Sequence, residues 1–526
     1  MSQKVEIFDT TLRDGCQAEE VAFSVADKLE IARRLDAIGV DYIEGGWPNE
    51  TNPRDTEFFQ EAQKRLQLKH AKLTAFGSTR RANVTPEEDS NLRCLLEAET
   101  PTVAIFGKAW DLHVTDVIRC SLADNVAMIE DSVHYVRSAG REIVFDAEHF
   151  FDGFAADAEY TIECLRAAER GGAECIVLCD TNGGSMPSRI RSGIEAAKAA
   201  VSVPLGIHVH NDSGMAIANS VIAVEMGIGH VQGTINGYGE RCGNANLCSV
   251  IPNLELKLGA KCLPDGKLQE LRELSLYVAA QALVPHDHRQ PYVGASAFAH
   301  KGGMHIDAVM KIPQSFEHVE PEVVGNERRV LLSDQAGGAA ILHKLQHLRP
   351  DLRKGDPVVG EMLLRAKRLE NEGYQFEAAE GSFELLAKRV LGTHREMFDL
   401  HGFRITVEAR EDGQTRAEAT VRLSVDGDEV HTAAMGTGPV NALDKALRKA
   451  LEQFYPQLKE VALTSFKVWA LGDSLGTAAK VRVLIHSSDG ETEWGTVGAH
   501  TDIIAATWQA LVESIEYKLL QDDNGE

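Results

Sequence analysis

Two histidines, His208 and His210, stand two residues apart in the apolar segment GIHVHND (206–212). Side chains alternate between the two faces of a strand, so both imidazoles project to the same side. Such a pair can bind a divalent metal ion. An isolated pair is equally compatible with polar residues that are solvated or hydrogen-bonded in a core. A metal site therefore requires further ligands from other parts of the chain.

Polar residues suited to chemistry also stand at the ends of several other apolar segments. The first segment is followed by Arg13 and Asp14. Glu148 lies near the end of the fifth, Thr181 follows the sixth, and Asn244 lies in the loop GYGERCGN after the eighth. A buried core would not select these residue types. Their recurrence at the same point of successive segments predicts a functional site.

A divalent metal ion suits this set of residues. Asp14, His208 and His210 would supply one carboxylate and two neutral imidazoles and leave coordination positions open. The mixed ligands suit Zn²⁺, Mn²⁺ or Co²⁺, and Mg²⁺ is compatible as well, so the identity of the metal stays open. An open position permits polarisation of a carbonyl, and Arg13 would donate to the oxyanion that forms. The alternative is that Arg13 and Asp14 form a structural ion pair.

The elements that must position these residues alternate regularly between residues 5 and 259. Amphipathic helical stretches such as 24–39 and 215–227, which end in glycine, separate short apolar segments. The predicted strands are 5–12, 42–47, 72–78, 102–109, 142–150, 175–181, 204–212 and 230–239. Eight such units in about 250 residues favour an α/β fold of the closed (β/α)₈ TIM-barrel type, whose chemistry lies at the carboxyl ends of the strands. A doubly wound open sheet is the alternative, but no GxGxxG follows the first strand.

The remainder of the chain differs from this pattern, so we predict three domains. The first is a catalytic barrel, 1–260; helical linker subdomains follow at 261–395. The segment 396–526 is predicted to be an α+β regulatory and dimerisation domain, because strands followed by a helix occur twice in it. The two helices follow GTGP and AHTD, which indicates a weak internal repeat.

Composition excludes several classes of function. The 526 residues carry a formal net charge of −25, which argues against nucleic acid or an anionic membrane as the main partner. No apolar segment is long enough to span a bilayer, and the chain begins without a signal-like region. The nine cysteines form no CxxC motif, which is typical of reduced thiols. We therefore expect a cytoplasmic protein.

The motifs FDTTLRDGCQ (8–17), HVHND (208–212) and GERCGN (239–244) resemble the signature of the TIM-barrel, metal-dependent acyltransferases. This family includes the 2-isopropylmalate, homocitrate and citramalate synthases. The segments YIEGGWP (42–48) and FDAEHFFDGF (145–154) are most similar to the citramalate synthase branch. The resemblance implies a Claisen condensation of acetyl-CoA with pyruvate, on a route to isoleucine. One departure is Glu20, which stands where the family pattern usually has glycine.

The resemblance also implies roles for individual residues. Asp14, His208 and His210 would bind the metal, with Asn244 as a fourth or second-sphere contact. Pyruvate would chelate the metal through a carboxylate oxygen and its keto oxygen.

Further roles follow from the same resemblance. Arg13 would steady the developing alkoxide, Thr181 would bind the substrate carboxylate, and Glu148 would position or deprotonate the methyl group of acetyl-CoA. His305, in the motif AFAHKGGMHIDAV (297–309), is the candidate acid/base group from the helical region, and His300 is the second choice. For His305 a solvated or capping histidine is an equally good interpretation.

Partners and competing functions follow as well. The resemblance implies a homodimer and an isoleucine effector at the C-terminal domain, where the two helix N-termini suit a carboxylate. A sister synthase that acts on a longer 2-oxo acid is the first alternative, and a metal-dependent acyl-CoA lyase is the second. A regulatory protein that uses the barrel only for binding is the most distant alternative, because the metal ligands are intact.

Overall fold

The structure is a computed structural model that describes residues 3–331, 337–409, 415–471 and 478–523. The chain divides into two compact units. The first unit extends to Phe298 and includes Val319–Arg328, and the second comprises Ala299–His318 and the chain from Arg329 onward.

Eight parallel strands form a closed barrel in the first unit. They pair in chain order, and the last strand pairs with the first. The strands are β1 (Glu6–Asp9), β2 (Tyr42–Gly46), β3 (Lys72–Ser78), β4 (Thr102–Lys108), β5 (Glu142–Glu148), β6 (Cys175–Asp180), β7 (Leu205–Val209) and β8 (His230–Gly233). All eight lie within the predicted segments, and the predicted closed barrel is confirmed. The last strand is shorter than predicted, because the chain turns into a loop after Gly233.

Helices follow every strand of the barrel. They are α1 (Val25–Ile38), α2 (Pro53–Arg65), α3 (Ser90–Glu97), α4 (Leu122–Ser138), α5 (Phe150–Ala156), α6 (Ala158–Gly171), α7 (Pro187–Ala200), α8 (Ala216–Glu225) and α9 (Leu247–Leu258). A further helix, α10 (Leu271–Ala282), packs against α1. Local sequence sets the helix ends: Ser24 and Asp27 form a capping box at the start of α1, and Gly39 ends it at φ 95°.

The inward faces of the strands fill the barrel in layers. An apolar layer contains Phe8, Tyr42, Phe76, Val144 and Val177. The outward faces pack against the helices in one continuous core. Polar side chains such as Glu44, Asp146 and His208 lie towards the carboxyl ends of the strands, beyond the apolar layer.

The second unit begins with short elements and helices. They are β9 (Ala299–His300), α11 (Gly303–Val309), β10 (Arg329–Val330), α12 (Gly338–Leu348), α13 (Pro357–Asn371) and α14 (Glu380–Leu391). Ile306, Ile341 and Met362 are buried in a shared apolar cluster. The predicted helical region is confirmed, except that β9 and β10 form a two-stranded parallel sheet that the sequence analysis missed.

The end of the chain repeats one plan twice, as predicted. Three antiparallel strands precede a helix in each half. The elements are β11 (Asp399–Ala409), β12 (Thr415–Val425), β13 (Asp428–Gly436) and α15 (Pro439–Leu451), then β14 (Ala462–Leu471), β15 (Lys480–Ser488), β16 (Glu493–His500) and α16 (Ile503–Asp523). Side chains of both halves share one core. Residues 410–414, between β11 and β12, lie outside the described residues.

Two further observations bear on the sequence analysis. Glu20 adopts a left-handed backbone conformation with φ 66°. Glycine adopts this conformation at a lower cost in free energy than other residues, which explains why the family pattern usually has glycine at this position. Across the part of the chain that the structure describes, no helix is both long and apolar enough to cross a membrane.

A buried ion pair holds the carboxyl end of β2 in place. The ammonium of Lys28, on α1, lies 2.5 Å from Oδ1 of Asp55, on α2, and donates to the carbonyl oxygen of Gly45 at 3.0 Å. Oδ2 of Asp55 accepts from the backbone N–H of Trp47 at 2.8 Å. The pair thus fixes the backbone that carries the Trp47 side chain.

We predict that Lys28→Met lowers the free energy of unfolding of the barrel by about 3 kcal/mol, because it leaves the Asp55 carboxylate buried without its cation. Urea denaturation of the full chain, followed by tryptophan fluorescence, measures the change. Lys64→Met, which removes an exposed ion pair with Glu61, is the matched control and should cost less than about 1 kcal/mol. Equal midpoints for the two variants would contradict the assigned role of the buried pair.

Candidate active site

Three potential metal ligands lie together at the carboxyl end of the barrel. Asp14 follows β1, His208 lies on β7, and His210 follows β7 directly. Nε2 of His208 lies 3.3 Å from Nε2 of His210 and 3.5 Å from Oδ2 of Asp14. Nε2 of His210 lies 3.8 Å from the same Asp14 oxygen. All three residues are buried, and among the described residues they form the only such group of ligand atoms.

The electrostatics of the three side chains suit a cation. Burial would raise the pKa of Asp14, but Arg13 and the two imidazoles lower that pKa to about 2. Burial and His210 lower the pKa of His208 to about 3, and burial lowers the pKa of His210 as well. The trio is therefore one carboxylate and two neutral imidazoles near neutral pH, which is the form that binds a metal ion.

Asn244 lies beside the trio. The backbones of His210 and Asn244 form an isolated bridge, and the amide nitrogen of Asn244 donates to the carbonyl oxygen of Tyr238 at 3.3 Å. Its Oδ1 is buried and, among the described residues, has no hydrogen-bond partner. A buried oxygen without a partner beside two imidazoles and a carboxylate fits a fourth metal ligand. The donor set present therefore fits a divalent ion.

Arg13 is held rigidly over the site. Its Nε donates to Oε2 of Glu44 at 2.6 Å, a terminal nitrogen lies 3.2 Å from Asp14, and its guanidinium carbon lies 3.7 Å from the centre of the Phe76 ring. Oε2 of Glu44 also accepts from the hydroxyl of Thr10. These contacts hold the cation at the mouth of the barrel. The ion pair between Arg13 and Asp14 exists, so the structural interpretation and the chemical one apply to the same residues.

A cavity of about 190 Å³ opens above the trio. One wall is aromatic: the Trp47 ring stands edge-on to Phe76 and Phe106, at 5.7 and 5.5 Å, and these two rings stack at 5.3 Å. The polar lining consists of Arg13, Asp14, Gln17, Asp146, Glu148, Thr181, His208, His210, Glu240 and Arg241. The cavity therefore combines a small apolar compartment with charged groups that converge on one point.

Glu148 and Thr181 face this cavity. Glu148 forms an ion pair with Lys108 on the neighbouring strand β4. The hydroxyl oxygen of Thr181 accepts from the backbone N–H of His149 at 2.9 Å, so its own proton is available for another acceptor. The structure thus places both predicted residues in the cavity that contains the trio.

The loop after β8 closes one side of the cavity. Arg241 donates to Asp212 at 2.7 Å and to the carbonyl oxygen of Thr181 at 2.7 Å, which ties the loop to the ends of β6 and β7. Gly243 adopts φ +88°, and a Cβ atom there would lie 2.0 Å from the carbonyl oxygen of Gly237. Only glycine permits this turn, which brings Asn244 against His210.

The two candidate histidines of the helical region, His305 and His300, lie in the second unit. The His305 side chain is exposed, and its ring stacks on Phe316 with centroids 4.1 Å apart. His300 is buried, and its Nε2 lies 3.0 Å from Glu317. Their assignment as acid/base groups stays a prediction.

Several residues of the site were missed by the sequence analysis. Glu44, Lys108 and Gln232 each contact a predicted site residue. Glu44 and Gln232 are charged or polar residues inside otherwise apolar strands, which is a signal that a strand-by-strand search would have found. Phe76 and Phe106 carry no such signal, because an aromatic residue in a strand is usually part of the core.

Comparison with known proteins extends these observations to the whole chain. A family model described as HMGL-like matches residues 4–278, and one described as homocitrate synthase post-HMGL domain-like matches 292–373. A third, the LeuA allosteric (dimerisation) domain, matches 377–519. The three models follow one another along the chain and cover both compact units.

Relatives match over almost the full length. The (R)-citramalate synthase of Geobacter sulfurreducens is 53% identical over 98% of this chain and 97% of its own. The (R)-citramalate synthase of Aquifex aeolicus is 51% identical over 99% of both chains. A "Probable 2-isopropylmalate synthase" of Methanopyrus kandleri is 32% identical over 98% of both. The chain therefore belongs to the HMGL-like family, in the group that comprises the citramalate, 2-isopropylmalate and homocitrate synthases.

Proposed function

We propose that the chain is an (R)-citramalate synthase. The reaction condenses acetyl-CoA with pyruvate, and water then hydrolyses the thioester to give (R)-citramalate and CoA. The observation that carries the proposal is the identity of 53% and 51% to two (R)-citramalate synthases, against 32% to a 2-isopropylmalate synthase, over nearly the whole chain. The geometry of the cavity is compatible with each step.

Asp14, His208 and His210 would hold a divalent ion, with the Oδ1 atom of Asn244 as an additional ligand. The bound ion would act as a Lewis acid on a 2-oxo acid that chelates it through a carboxylate oxygen and its keto oxygen. The low pKa values of Asp14 and the two histidines support this role, because no proton must leave before the ion binds. Mn²⁺, Mg²⁺, Zn²⁺ and Co²⁺ are all compatible with the ligands.

Arg13 and Thr181 would bind the oxo acid from two sides. The Arg13 guanidinium, fixed by Glu44, would stabilise the negative charge that develops on the keto oxygen as the new carbon–carbon bond forms. The Thr181 hydroxyl would donate to the substrate carboxylate, because its oxygen already accepts from His149. Neither group needs to reorganise during the reaction.

Glu148 would remove the proton from the methyl group of acetyl-CoA. Its carboxyl group lies in the cavity that contains the ligand trio, paired with Lys108, and is therefore placed to meet the methyl group of acetyl-CoA. His305 is the proposed acid/base group for the later steps, with His300 as the second choice. The exposed imidazole of His305 is free to meet a substrate, whereas His300 is engaged with Glu317.

The aromatic wall supports pyruvate as the oxo acid. Trp47, Phe76 and Phe106 pack against one another and line the cavity beside the ligand trio. An apolar wall suits the methyl group of pyruvate and disfavours an oxo acid with a charged chain, such as 2-oxoglutarate.

The C-terminal repeat is proposed to form a homodimer and to bind isoleucine as an end-product effector. The match of residues 377–519 to the LeuA allosteric (dimerisation) domain supports both statements. The helix α15 begins at the proline of GTGP, and no described side chain caps its N-terminus, which therefore suits a carboxylate. At the start of α16 the side chain of Asp502 already accepts from the backbone N–H groups of Ile504 and Ala505. The same proposal assigns the protein to isoleucine biosynthesis and to the cytoplasm.

The first test is release of CoA from acetyl-CoA by the purified chain with Mn²⁺ or Mg²⁺ and one of four oxo acids: pyruvate, 2-oxobutyrate, 2-oxoisovalerate or 2-oxoglutarate. We expect pyruvate to give the highest kcat/KM, and we expect EDTA or His208→Ala to abolish the activity. Preference for a longer oxo acid would contradict the assigned substrate. If none of the four oxo acids led to release of CoA, the lyase alternative would be favoured. An assay for cleavage of an acyl-CoA substrate would then test that alternative.

A second test concerns the base. We predict that Glu148→Gln lowers kcat by a factor of roughly 10² to 10⁴, which is the usual contribution of a general base, and that the KM for pyruvate changes little. Steady-state kinetics measure both constants. Glu142→Gln is the matched control, because Glu142 lies at the opposite end of β5 and pairs with Lys72. A comparable loss of kcat in the control variant would show that the effect is structural.

A third test concerns the aromatic wall. We predict that Phe106→Ala raises the ratio of kcat/KM for 2-oxobutyrate to that for pyruvate by about tenfold, since one methylene is worth roughly 1–3 kcal/mol in an apolar pocket. Phe106→Leu should give a smaller change in the same direction. An unchanged ratio in both variants would mean that the substituent of the oxo acid lies elsewhere.

A further inference from the structure

Gln232 on β8 lies between a candidate metal ligand and a buried carboxyl group. Its Oε1 lies 3.0 Å from Nδ1 of His208, and its Nε2 lies 3.0 Å from Oδ1 of Asp146 on β5. Gln232 is fully buried, and Asp146 is 4% exposed. The three side chains therefore form a continuous chain of hydrogen bonds inside the barrel.

The direction of these hydrogen bonds follows from the chemistry of the groups. The amide nitrogen of Gln232 donates to Oδ1 of Asp146, and this oxygen can accept in either protonation state of the carboxyl group. The amide oxygen then faces His208 and accepts from Nδ1–H. A neutral imidazole carries one proton, so Nε2 of His208 keeps its lone pair. This Nε2 atom lies 3.5 Å from Oδ2 of Asp14 and 3.3 Å from Nε2 of His210, so its lone pair is on the side of the other two ligands.

The opposite orientation of the amide would disable the site. The NH₂ group of Gln232 would then face His208, whose Nδ1 would have to accept. The imidazole proton would move to Nε2, the atom that lies between the other two ligands. The hydrogen bond to Asp146 thus holds Gln232 in the orientation that selects the Nδ1–H tautomer of His208.

The barrel holds these groups at fixed positions. The register of β7 and β8 pairs Gly206 with His230, so Gln232 comes level with His208, two residues further along each strand. Asp146 belongs to β5, which pairs with β4 and β6 and not with β8, so its hydrogen bond to Gln232 crosses the interior. The chain of hydrogen bonds from Asp146 through Gln232 to His208 therefore depends on closure of the barrel and not on a flexible loop.

We propose that Gln232 and Asp146 are positioning residues that fix His208 in the metal-binding tautomer. The proposal rests on the metal site described under the proposed function and concerns neither the oxo acid nor acetyl-CoA. Outer partners of this kind typically change metal affinity 10- to 100-fold when they are removed.

The test measures Mn²⁺ binding to the full chain in the absence of substrates, by electron paramagnetic resonance of the free ion. Gln232→Met keeps the length of the side chain and removes both hydrogen bonds, and we expect the Kd for Mn²⁺ to rise 10- to 100-fold. Thr102→Val is the matched control, because Thr102 is another fully buried polar residue of a barrel strand. Its Kd should equal that of the wild type. Thermal unfolding without metal reports whether each variant is folded.

A complementary exchange provides the decisive comparison. The double variant Asp146→Asn/Gln232→Glu sets an amide donor at 146 and a carboxylate acceptor toward Nδ1 of His208. It should therefore bind Mn²⁺ more tightly than Gln232→Met and recover most of the affinity. A merely structural role would not predict this recovery.

Two results would overturn the proposal. One is a wild-type Kd for Mn²⁺ in a folded Gln232→Met variant. The other is a folded double variant that binds Mn²⁺ no better than Gln232→Met. If the wild type preferred another oxo acid over pyruvate, the proposed substrate would change. The proposal about Gln232 and Asp146 would stand, because the binding assay contains no substrate. Failure of the wild type to bind Mn²⁺, Mg²⁺, Zn²⁺ or Co²⁺ would overturn both.

Discussion

One buried carboxylate between two neutral imidazoles and a guanidinium is the arrangement on which the rest of the site depends. Asp14 lies 3.2 Å from Arg13, 3.5 Å from His208 and 3.8 Å from His210, almost entirely out of water. A carboxylate at such a position costs free energy unless cations compensate it. Arg13 supplies part of that compensation, and a divalent ion at the imidazoles would supply the rest.

The surrounding acidic groups show how the barrel tolerates so much buried charge. Burial and the nearby Glu44 raise the pKa of Asp146 to about 8, and burial raises the pKa of Glu44. Arg13 and the amide of Gln232 offset part of this cost. The mouth of the barrel is therefore a network in which removal of one partner leaves another uncompensated. Such networks are typical of sites whose function requires charges to be held in place.

The barrel accommodates this network because its layers have separate tasks. The apolar layer around Phe8, Tyr42 and Val144 supplies stability below the site. The strand ends above it and the loops that follow them supply polar groups from several parts of the chain. The aromatic wall of Trp47, Phe76 and Phe106 then shapes the space next to the charges.

The sequence alone determined the barrel, the helical region and the C-terminal repeat, because apolar periodicity is a local property that the strands and helices retain after folding. It also selected Asp14, His208 and His210, whose ligand atoms lie within 4.8 Å of one another, since parallel strands end at one rim. Tertiary structure alone decided the contacts across the barrel. The bond from Asp146 to Gln232 joins strands that are not neighbours, and Glu44 meets Arg13 from a different strand. Such contacts depend on the register and closure of the barrel, which no local pattern encodes.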